Sequence, residues 1–192
     1  MVEYSKYNID RSHDFWNILL QKCLDEDSVE SALSVVTKAI IEVLGDKSAH
    51  LKPGGLRDGE TQYSVSAAVM ISKEKKLNIF FAQQNFPDHQ YRLKIPLDHG
   101  HPGIVVKNEQ PLLLSNTDEH QDFKQILDTS RMGSSIYYPF FWKGQMLGQL
   151  ICGSQARNTY RNLDLELIKP FAKIASLLWV SHNGSDTLTI EK

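Results

Sequence analysis

The sequence has few of the residues that mark disulfide-bonded, metal-binding or membrane proteins. Two cysteines, Cys23 and Cys152, occur in 192 residues, and neither belongs to a CxxC pair. This excludes a disulfide framework and the usual zinc-site spacing. Both lie in apolar surroundings, so we expect buried, reduced thiols. The N-terminus lacks the apolar core of a signal peptide, and no apolar run approaches the roughly 20 residues that span a bilayer. We therefore expect a cytoplasmic protein that makes no membrane contact.

The chain also lacks a charge excess and the motifs of common enzymes. Lys and Arg number 21 against 23 Asp and Glu, a net charge of −2, whereas nucleic-acid binders usually carry a basic face. We expect no nucleic-acid partner. A nucleophile elbow, a phosphate loop, an HExxH motif and a triad arrangement are all missing, so the sequence favours a non-catalytic protein and names no cofactor. The length and the 41% hydrophobic residues are sufficient for one domain with a real core.

Apolar residues at helical spacing predict two helices near the N-terminus. Residues 1–12 are polar and are expected to form a loose tail, after which a helix starts near Ser12. Ser28 is a natural N-cap for a second helix over residues 29–44, and Gly45 is placed to end it.

The C-terminal region predicts one long helix and a tail. Residues 163–180 repeat apolar positions at helical spacing, and Asn162 or Asp164 can start the helix. Pro170 lies inside this pattern and predicts either a bend or a later start. The polar residues after His182 are predicted to be disordered.

Between these helices, β-type residues alternate with turn residues. Pro139 lies inside one predicted strand, which indicates a sheet edge or a bulge there. A short helix capped by Thr117 or Asp118 is expected to carry Phe123, Ile126 and Leu127. The predicted strands are a hairpin at 65–71 and 77–82, a third strand at 91–95, a short strand at 112–114, and a hairpin at 136–142 and 145–153.

The stretch 99–106 (HGHPGIVV) combines glycine, histidine and apolar residues more densely than any other, and we interpret it as the lip of a pocket. His99 and His101, with acidic residues nearby, suit zinc, iron or nickel in principle. Histidines in such loops are more often exposed or cap a helix. We therefore predict no metal site.

Three segments together resemble the GAF domain, the ligand-sensing module of many signalling proteins. The first, IPLDHGHPGIVVKNEQPLLLSNTDEHQDF, is similar to the family's strand, glycine turn, short helix and following strand. The second, GSSIYYPFFWKGQMLGQLICGS, resembles its last hairpin, and the third, YRNLDLELIKPFAKIASLLW, its closing helix. The resemblance covers about residues 28–180. It implies an α+β fold with a central antiparallel sheet flanked by N- and C-terminal helices.

The resemblance also implies boundaries and a pocket. Residues 1–27 would be an N-terminal tail and helix, 28–182 the GAF-like domain, and 183–192 a disordered tail. The third strand, the two short helices and their loops would wall a ligand pocket. The residues placed at or near it are His99, His101, Ile104, Phe123, Ile126, Arg131, Met132, Ser134, Ser135 and Tyr137.

Departures from GAF subtypes narrow the ligand. The ordered signature of the cyclic-nucleotide-binding subtype is missing, although Asp118-Glu119 is present. Bilin-binding members need a thiol near the pocket helix, where Cys152 does not lie. The free methionine sulfoxide reductase subtype uses pocket cysteines, and residues 85–140 contain none.

Two side chains have specific chemical promise. Arg131, beside the turn amides and hydroxyls of residues 132–135, suits a carboxylate, nitrate or phosphate, while the alternative is an exposed arginine in a polar turn. Tyr137 would be a polar tip in an otherwise aromatic strand.

The sequence thus predicts a small-molecule-sensing module that signals through a separate output protein and forms a homodimer through its terminal helices. The ligand is unknown. One alternative is a degenerate GAF fold that fills its pocket with its own side chains and acts as an interaction scaffold. The other is a small redox enzyme, which would need a reactive thiol.

Overall fold

The computed structural model describes residues 6–120, 123–129 and 131–188, leaving aside the side chains of residues 6–12. Over this part of the chain, four helices and one six-stranded sheet form an α+β fold. The helices are α1 (Lys6–Leu24), α2 (Val29–Val43), α3 (Gly100–Asn108) and α4 (Asn162–Ser181). The strands are β1 (Ser64–Ile71), β2 (Leu77–Gln84), β3 (Lys94–Pro96), β4 (Leu112–Leu114), β5 (Ser134–Trp142) and β6 (Gln145–Ser154).

The sheet is antiparallel throughout, in the order β3-β2-β1-β6-β5-β4. Both predicted hairpins are present, and β1 and β6 join them at the centre of the sheet. Alternation gives each strand two faces. On β5, Ile136 joins the core under α1, α2 and α4, whereas Tyr137 joins a second core on the opposite face. The central antiparallel sheet with flanking terminal helices is therefore confirmed.

The start and end of α2 follow the local sequence. The amide of Ser31 donates to Ser28 Oγ at 3.1 Å, and the amide of Ser28 donates to Ser31 Oγ at 3.3 Å. Two serines thus form the reciprocal box that usually needs Ser and Glu. Gly45 follows the helix at φ +79°, where an added Cβ would lie 2.7 Å from a Thr159 methyl group. Its position requires glycine on both counts.

Pro139 occupies an inner strand but faces an open flank. It pairs with Gln149 of β6, while β4 on the other side ends with Leu112 opposite Tyr137. The missing N–H of Pro139 therefore interrupts no ladder on that side, and a bulge follows at Phe140 and Phe141.

The structure corrects four boundaries. Helix α1 begins at Lys6, so the loose tail predicted for residues 1–12 is wrong from residue 6 onward; residues 1–5 lie outside the described residues. Helix α4 starts at Asn162 and runs on past Pro170, so the later start is wrong, while the bend stays a prediction. Burial of its apolar face offsets the one amide donor that proline lacks. The third strand is shortened to Lys94–Pro96.

The fourth correction concerns two segments, one after β4 and one after α4, that form 3-10 turns or irregular backbone. In place of the short helix predicted around residues 117–127, a 3-10 turn at Thr117–Glu119 precedes an irregular segment at 123–129. The C-terminal tail predicted to be disordered forms a 3-10 turn at Gly184–Leu188, and Leu188 is buried in the helix-side core. Residues 189–192 lie outside the described residues.

Candidate ligand-binding site

A cavity of about 50 Å³ lies between the sheet and the irregular segment 123–129, which we call the cover segment. The sheet supplies the floor, and the cover segment and the start of α3 supply the walls. The lining is mostly apolar. It consists of Val65, Phe80, Phe86, Pro102, Phe123, Lys124, Gln125, Ile126, Leu127, Met132, Ser135, Tyr137, Ile151, Cys152 and Gly153.

Two hydroxyl-bearing residues of β5 line this apolar cavity. Ser135 and Tyr137 are separated by one residue, so alternation turns both to the same face of the sheet. Ser135 is 4% exposed, and its Oγ makes no hydrogen bond of normal geometry. Burial raises the pKa of Tyr137 to about 12, against a smaller lowering by the nearby Ser135 hydroxyl. Both groups are therefore neutral at physiological pH.

Helix α3 places its two histidines differently. His99 is the residue that precedes the helix and is half-buried, while His101 is buried in the first turn. The His101 ring lies 5.2 Å from that of Phe123 and 6.1 Å from that of Tyr137, the latter pair stacked at 25°. His101 therefore packs against cavity-lining rings. Ile104 points outward and is 40% exposed.

Arg131 does not line the cavity and contacts its surroundings from outside. Its guanidinium donates to the carbonyl of Thr117, contacts Asp118 Oδ1 at 3.4 Å, and lies 4.5 Å above the ring of Phe123. These contacts engage Nε and Nη2 of the guanidinium with groups of the protein itself. The side chain fixes the start of the cover segment against the turn at Thr117–Glu119.

Of the residues that the sequence proposes for the pocket, half line the cavity. These are Phe123, Ile126, Met132, Ser135 and Tyr137. His101 packs on two of their rings. His99, Ile104 and Arg131 lie at the rim or outside. Ser134 faces the opposite side of the sheet, where its hydroxyl donates to the carbonyl of Leu114 at 3.1 Å and accepts from the amide of Tyr160 at 3.2 Å.

Sequence reasoning missed several lining residues. Val65 and Phe80 belong to strands that were predicted, and alternation in β1 and β2 could have placed them on the cavity face. Phe86 comes from an irregular segment that carries no periodic signal, and Gln125 is a polar position of the cover segment, whose helical spacing marks only its apolar residues. Gln125 donates to the carbonyl of Leu127 at 3.1 Å and accepts from the amide of Met132, so it helps to shape the cover segment.

A buried ion-pair cluster lies beside the cover segment. The Arg157 side chain, 3% exposed, donates to Asp118 Oδ2 at 2.8 Å and to both carboxylate oxygens of Glu60. Arg57 also contacts Asp118 Oδ2, at 2.7 Å. Burial alone would raise the pKa values of Glu60 and Asp118, but the hydrogen bonds and charges of the arginines outweigh it and lower both.

Neither cysteine offers a reactive thiol. The side chains of Cys23 and Cys152 both belong to the helix-side core, and each is 1% exposed. Burial raises the pKa of the Cys23 thiol to about 11 and raises that of Cys152 further above its ordinary value. A thiol of this kind is not a nucleophile at neutral pH.

Within the described residues, no group of three or more His, Cys, Asp or Glu side chains is placed to hold a metal ion. None of the helices in that part of the chain combines the length and apolarity needed to cross a membrane.

A family model for the GAF domain matches residues 28–178. The chain belongs to the GAF domain family. No curated protein matches this GAF chain. Its solved structural neighbours include the GAF domain of an Acinetobacter phosphoenolpyruvate-protein phosphotransferase, with a TM-score of 0.70 at 12% identity, covering 94% of this chain and 97% of that one. The GAF domain of the Coxiella burnetii phosphoenolpyruvate-protein phosphotransferase also has a TM-score of 0.70, at 15% identity, covering 89% and 94%.

Another neighbour is an enzyme. The free methionine-R-sulfoxide reductase from Neisseria meningitidis, solved in complex with its substrate, has a TM-score of 0.64 at 16% identity and covers 87% of each chain. Identities this low establish the shared fold alone. The GAF fold by itself therefore does not decide between a sensor and a redox enzyme.

Proposed function

We propose that this GAF domain is a non-catalytic regulatory module that binds a small molecule in the cavity beneath the cover segment. The Ser135 hydroxyl carries the proposal. It is buried, it lines the cavity, and it makes no hydrogen bond of normal geometry. A buried hydroxyl left in this state costs about 1–3 kcal/mol, which a polar atom of a ligand would recover.

The size of the cavity constrains how a ligand enters. Its volume is about 50 Å³, whereas one water occupies roughly 30 Å³ in the liquid. A ligand of more than a few non-hydrogen atoms needs more room than this, and displacement of part of the cover segment would supply it. That segment has no helix or strand of its own, so its displacement breaks no regular secondary structure.

The placement of the thiols supports a regulatory role over the redox alternative. Thiol chemistry on a ligand needs a thiolate that reaches the pocket. Cys23 lies away from the cavity. Cys152 is among the residues that line it, but its side chain belongs to the helix-side core, and burial raises the pKa of both thiols. The binding role therefore rests on the hydroxyls and apolar walls of the cavity.

Two neighbouring serines provide a matched test. Thermal-shift assays and native mass spectrometry would screen nucleotides, free amino acids and nitrate against the wild type, Ser135→Ala and Ser134→Ala. A probe at about 100 times its dissociation constant stabilises the native state by about 2.7 kcal/mol, a rise in Tm of roughly 5–10 °C for a domain of this size.

The two variants should separate binding from stability. Ser135→Ala is expected to keep or slightly raise the stability of the free protein and to weaken the response to the probe. Ser134→Ala loses two satisfied hydrogen bonds and is expected to lower stability but leave that response intact. Absence of any bound probe or co-purified molecule, or equal loss of the response in both variants, would contradict the proposal.

A second candidate function is an interaction scaffold, which the small cavity and the surface of α4 favour. Four aromatic side chains of the domain line the small cavity, and the His101 ring packs near two of them. On α4, Leu163 is 68% exposed, Leu177 is 56% exposed, and Leu167 lies between them on the same stripe. We infer that this stripe, the α4 face, pairs with a second copy of the chain. The resulting dimer would then contact a separate output protein.

A further inference from the structure

The cover segment is fastened to the 3-10 turn at Asp88–Gln90 by two side chains, since His89 Nε2 lies 3.2 Å from Asp128 Oδ2 and the side-chain amide of Gln90 makes two further bonds. Gln90 Nε2 donates to the carbonyl of Ile126 at 3.1 Å, and Gln90 Oε1 accepts from the amide of Asp128 at 2.8 Å. The two ends of this amide thus satisfy two backbone groups of a segment that has no strand partner of its own. Displacing the cover segment must break both bonds.

The 3-10 turn that carries Gln90, at Asp88–Gln90, is tied to β2 at its C-terminal end. Gln83 Nε2 donates to the carbonyl of Gln90 at 2.9 Å, and Gln83 Oε1 accepts from the amide of Arg92. Because one side chain binds both Gln90 and Arg92, a shift of Gln90 should also move Arg92.

Arg92 and its neighbour Tyr91 connect this turn to α2. The Tyr91 hydroxyl donates to Glu30 Oε1 at 2.9 Å, and the Arg92 guanidinium donates to Glu30 Oε2. Arg92 also lies 4.8 Å above the ring of Phe81. Its backbone has a φ of +50°, a left-handed conformation that costs a non-glycine residue free energy and persists only where surrounding contacts hold it.

Glu30 is the second residue of α2, the helix that packs against the sheet and against the helices α1 and α4. A continuous set of hydrogen bonds therefore runs from the cover segment through Gln90, Gln83 and Arg92 to the first turn of α2. One end of this set is the cover segment, which the proposed ligand displaces. The other end is the first turn of α2, in the layer of helices on the opposite face of the sheet.

We infer that Gln90 and Glu30 are positioning residues that couple the cover segment to the N-terminus of α2, so that displacement of the cover loosens the first turn of that helix. The inference rests on the proposed function only for what moves the cover segment. The coupling itself belongs to the ligand-free protein, and by linkage it acts in both directions.

Amide hydrogen exchange resolved to single residues in the full chain without ligand tests the coupling. The reporters are the amide of Asp128 in the cover segment and that of Ala32 in the first turn of α2, which donates to the carbonyl of Ser28 at 3.0 Å. The variants are Gln90→Ala and Glu30→Ala. Glu42→Ala, which removes an exposed carboxylate from the same helix, is the matched control.

Within the described residues, the Glu30 carboxylate bonds to Tyr91 and Arg92 and not to the cover segment. Glu30→Ala should nevertheless accelerate exchange at the Asp128 amide about fivefold, which is the effect of losing one net hydrogen bond from the closed state. Gln90→Ala should reciprocally accelerate exchange at Ala32. In the double variant, the effect at each reporter should be smaller than the product of the single effects. Glu42→Ala should change neither reporter.

Exchange of the central Val69 amide in β1 would show whether any variant unfolds globally, and Glu30→Gln, which keeps an acceptor for Tyr91, should give a smaller change in the same direction. The inference is overturned if Glu30→Ala accelerates exchange only in α2 and residues 88–92. If Glu30→Ala destabilises the whole fold, Glu30→Gln takes its place in this test. The inference is equally overturned by multiplicative effects in the double variant. Failure of every probe to bind, with coupling observed, would instead count against the proposed function alone.

Discussion

Replacing Arg157 by methionine would remove the centre of the ion-pair cluster beside the cover segment while keeping the volume of the side-chain stem. In the native protein the guanidinium is buried, and it donates to Glu60 Oε1 at 3.0 Å and to Asp118 Oδ2 at 2.8 Å. The substitution leaves Asp118 with Arg57 at 2.7 Å and Arg131 at 3.4 Å. The loss therefore falls mainly on Glu60, which keeps the backbone amide of Arg57 at 2.8 Å.

Breaking a buried ion pair by removing one partner costs about 3–5 kcal/mol. Because Asp118 keeps two arginines, we expect the lower end, about 3 kcal/mol of unfolding free energy at pH 7. For a domain of this size that corresponds to a fall in Tm of roughly 6–12 °C. Lys169→Met is the control, since Lys169 pairs with Glu166 on the surface and exposed pairs contribute about 0–1 kcal/mol.

The pH dependence provides a second readout. The pKa values of Glu60 and Asp118 lie below their ordinary values of 4.5 and 3.8 in the folded protein. Carboxylates with lowered pKa values stabilise the fold above their unfolded-state pKa and lose this contribution as the pH falls through their folded-state pKa. The wild type should therefore lose stability as the pH falls below about 4.5, and the difference from Arg157→Met should shrink over the same range.

Urea unfolding followed by tryptophan fluorescence, at several values between pH 7 and pH 3, measures both effects. The m-value should stay unchanged, because the surface exposed on unfolding is nearly the same. A loss below about 1 kcal/mol at pH 7 would refute the reasoning, since it would mean that Glu60 recovers its solvation without Arg157. An equal loss at pH 7 and pH 3 would also refute it, because the effect would then be packing and not charge.

The remaining predictions concern the thiols and the α4 face. Cys23 and Cys152 should resist a disulfide reagent such as DTNB at pH 7.5 in the native protein and react fully in urea, because burial raises the pKa of both thiols; fast labelling of the native protein would revive the redox alternative. Leu177→Glu in α4 should convert the dimer to monomer in analytical ultracentrifugation. Leu51→Glu, at a still more exposed leucine outside the long helices, should not. A monomeric wild type at micromolar concentration would contradict pairing through the α4 face.

The elements that sequence predicted best are those whose local and tertiary signals agree. In α2, the serine cap, the apolar repeat and the terminal glycine all specify the same helix, and each is present in the structure. The two hairpins were predicted because alternation on β-type residues is interrupted by short turns with Gly or Lys.

The cover segment shows why the rest could not be predicted. Phe123, Ile126 and Leu127 recur at helical spacing, yet the backbone there follows side-chain hydrogen bonds from Gln90 and Gln125. Gln90 lies 36 residues before Ile126 and 38 before Asp128 in the chain, so no local pattern encodes its bonds to the cover segment. In α4 the sequence pattern allowed a later start of the helix because of Pro170, whereas the structure has the helix on both sides of that residue. Burial of the apolar face offsets the low helix propensity of proline there.

The sequence by itself determined the two-faced strands, the capped helix α2 and the apolar repeats of α4, because these depend on residue spacing and on the backbone preferences of Ser, Gly and β-branched residues. It also placed Ser135 and Tyr137 on one face of β5. Only the tertiary structure decided that Ser135 is left without a hydrogen bond of normal geometry at a cavity while Ser134, one residue away, makes two hydrogen bonds on the other side. It likewise decided that Arg131 holds the cover segment from outside. Partners from distant strands and loops make that difference, and their approach is set by packing of the whole sheet.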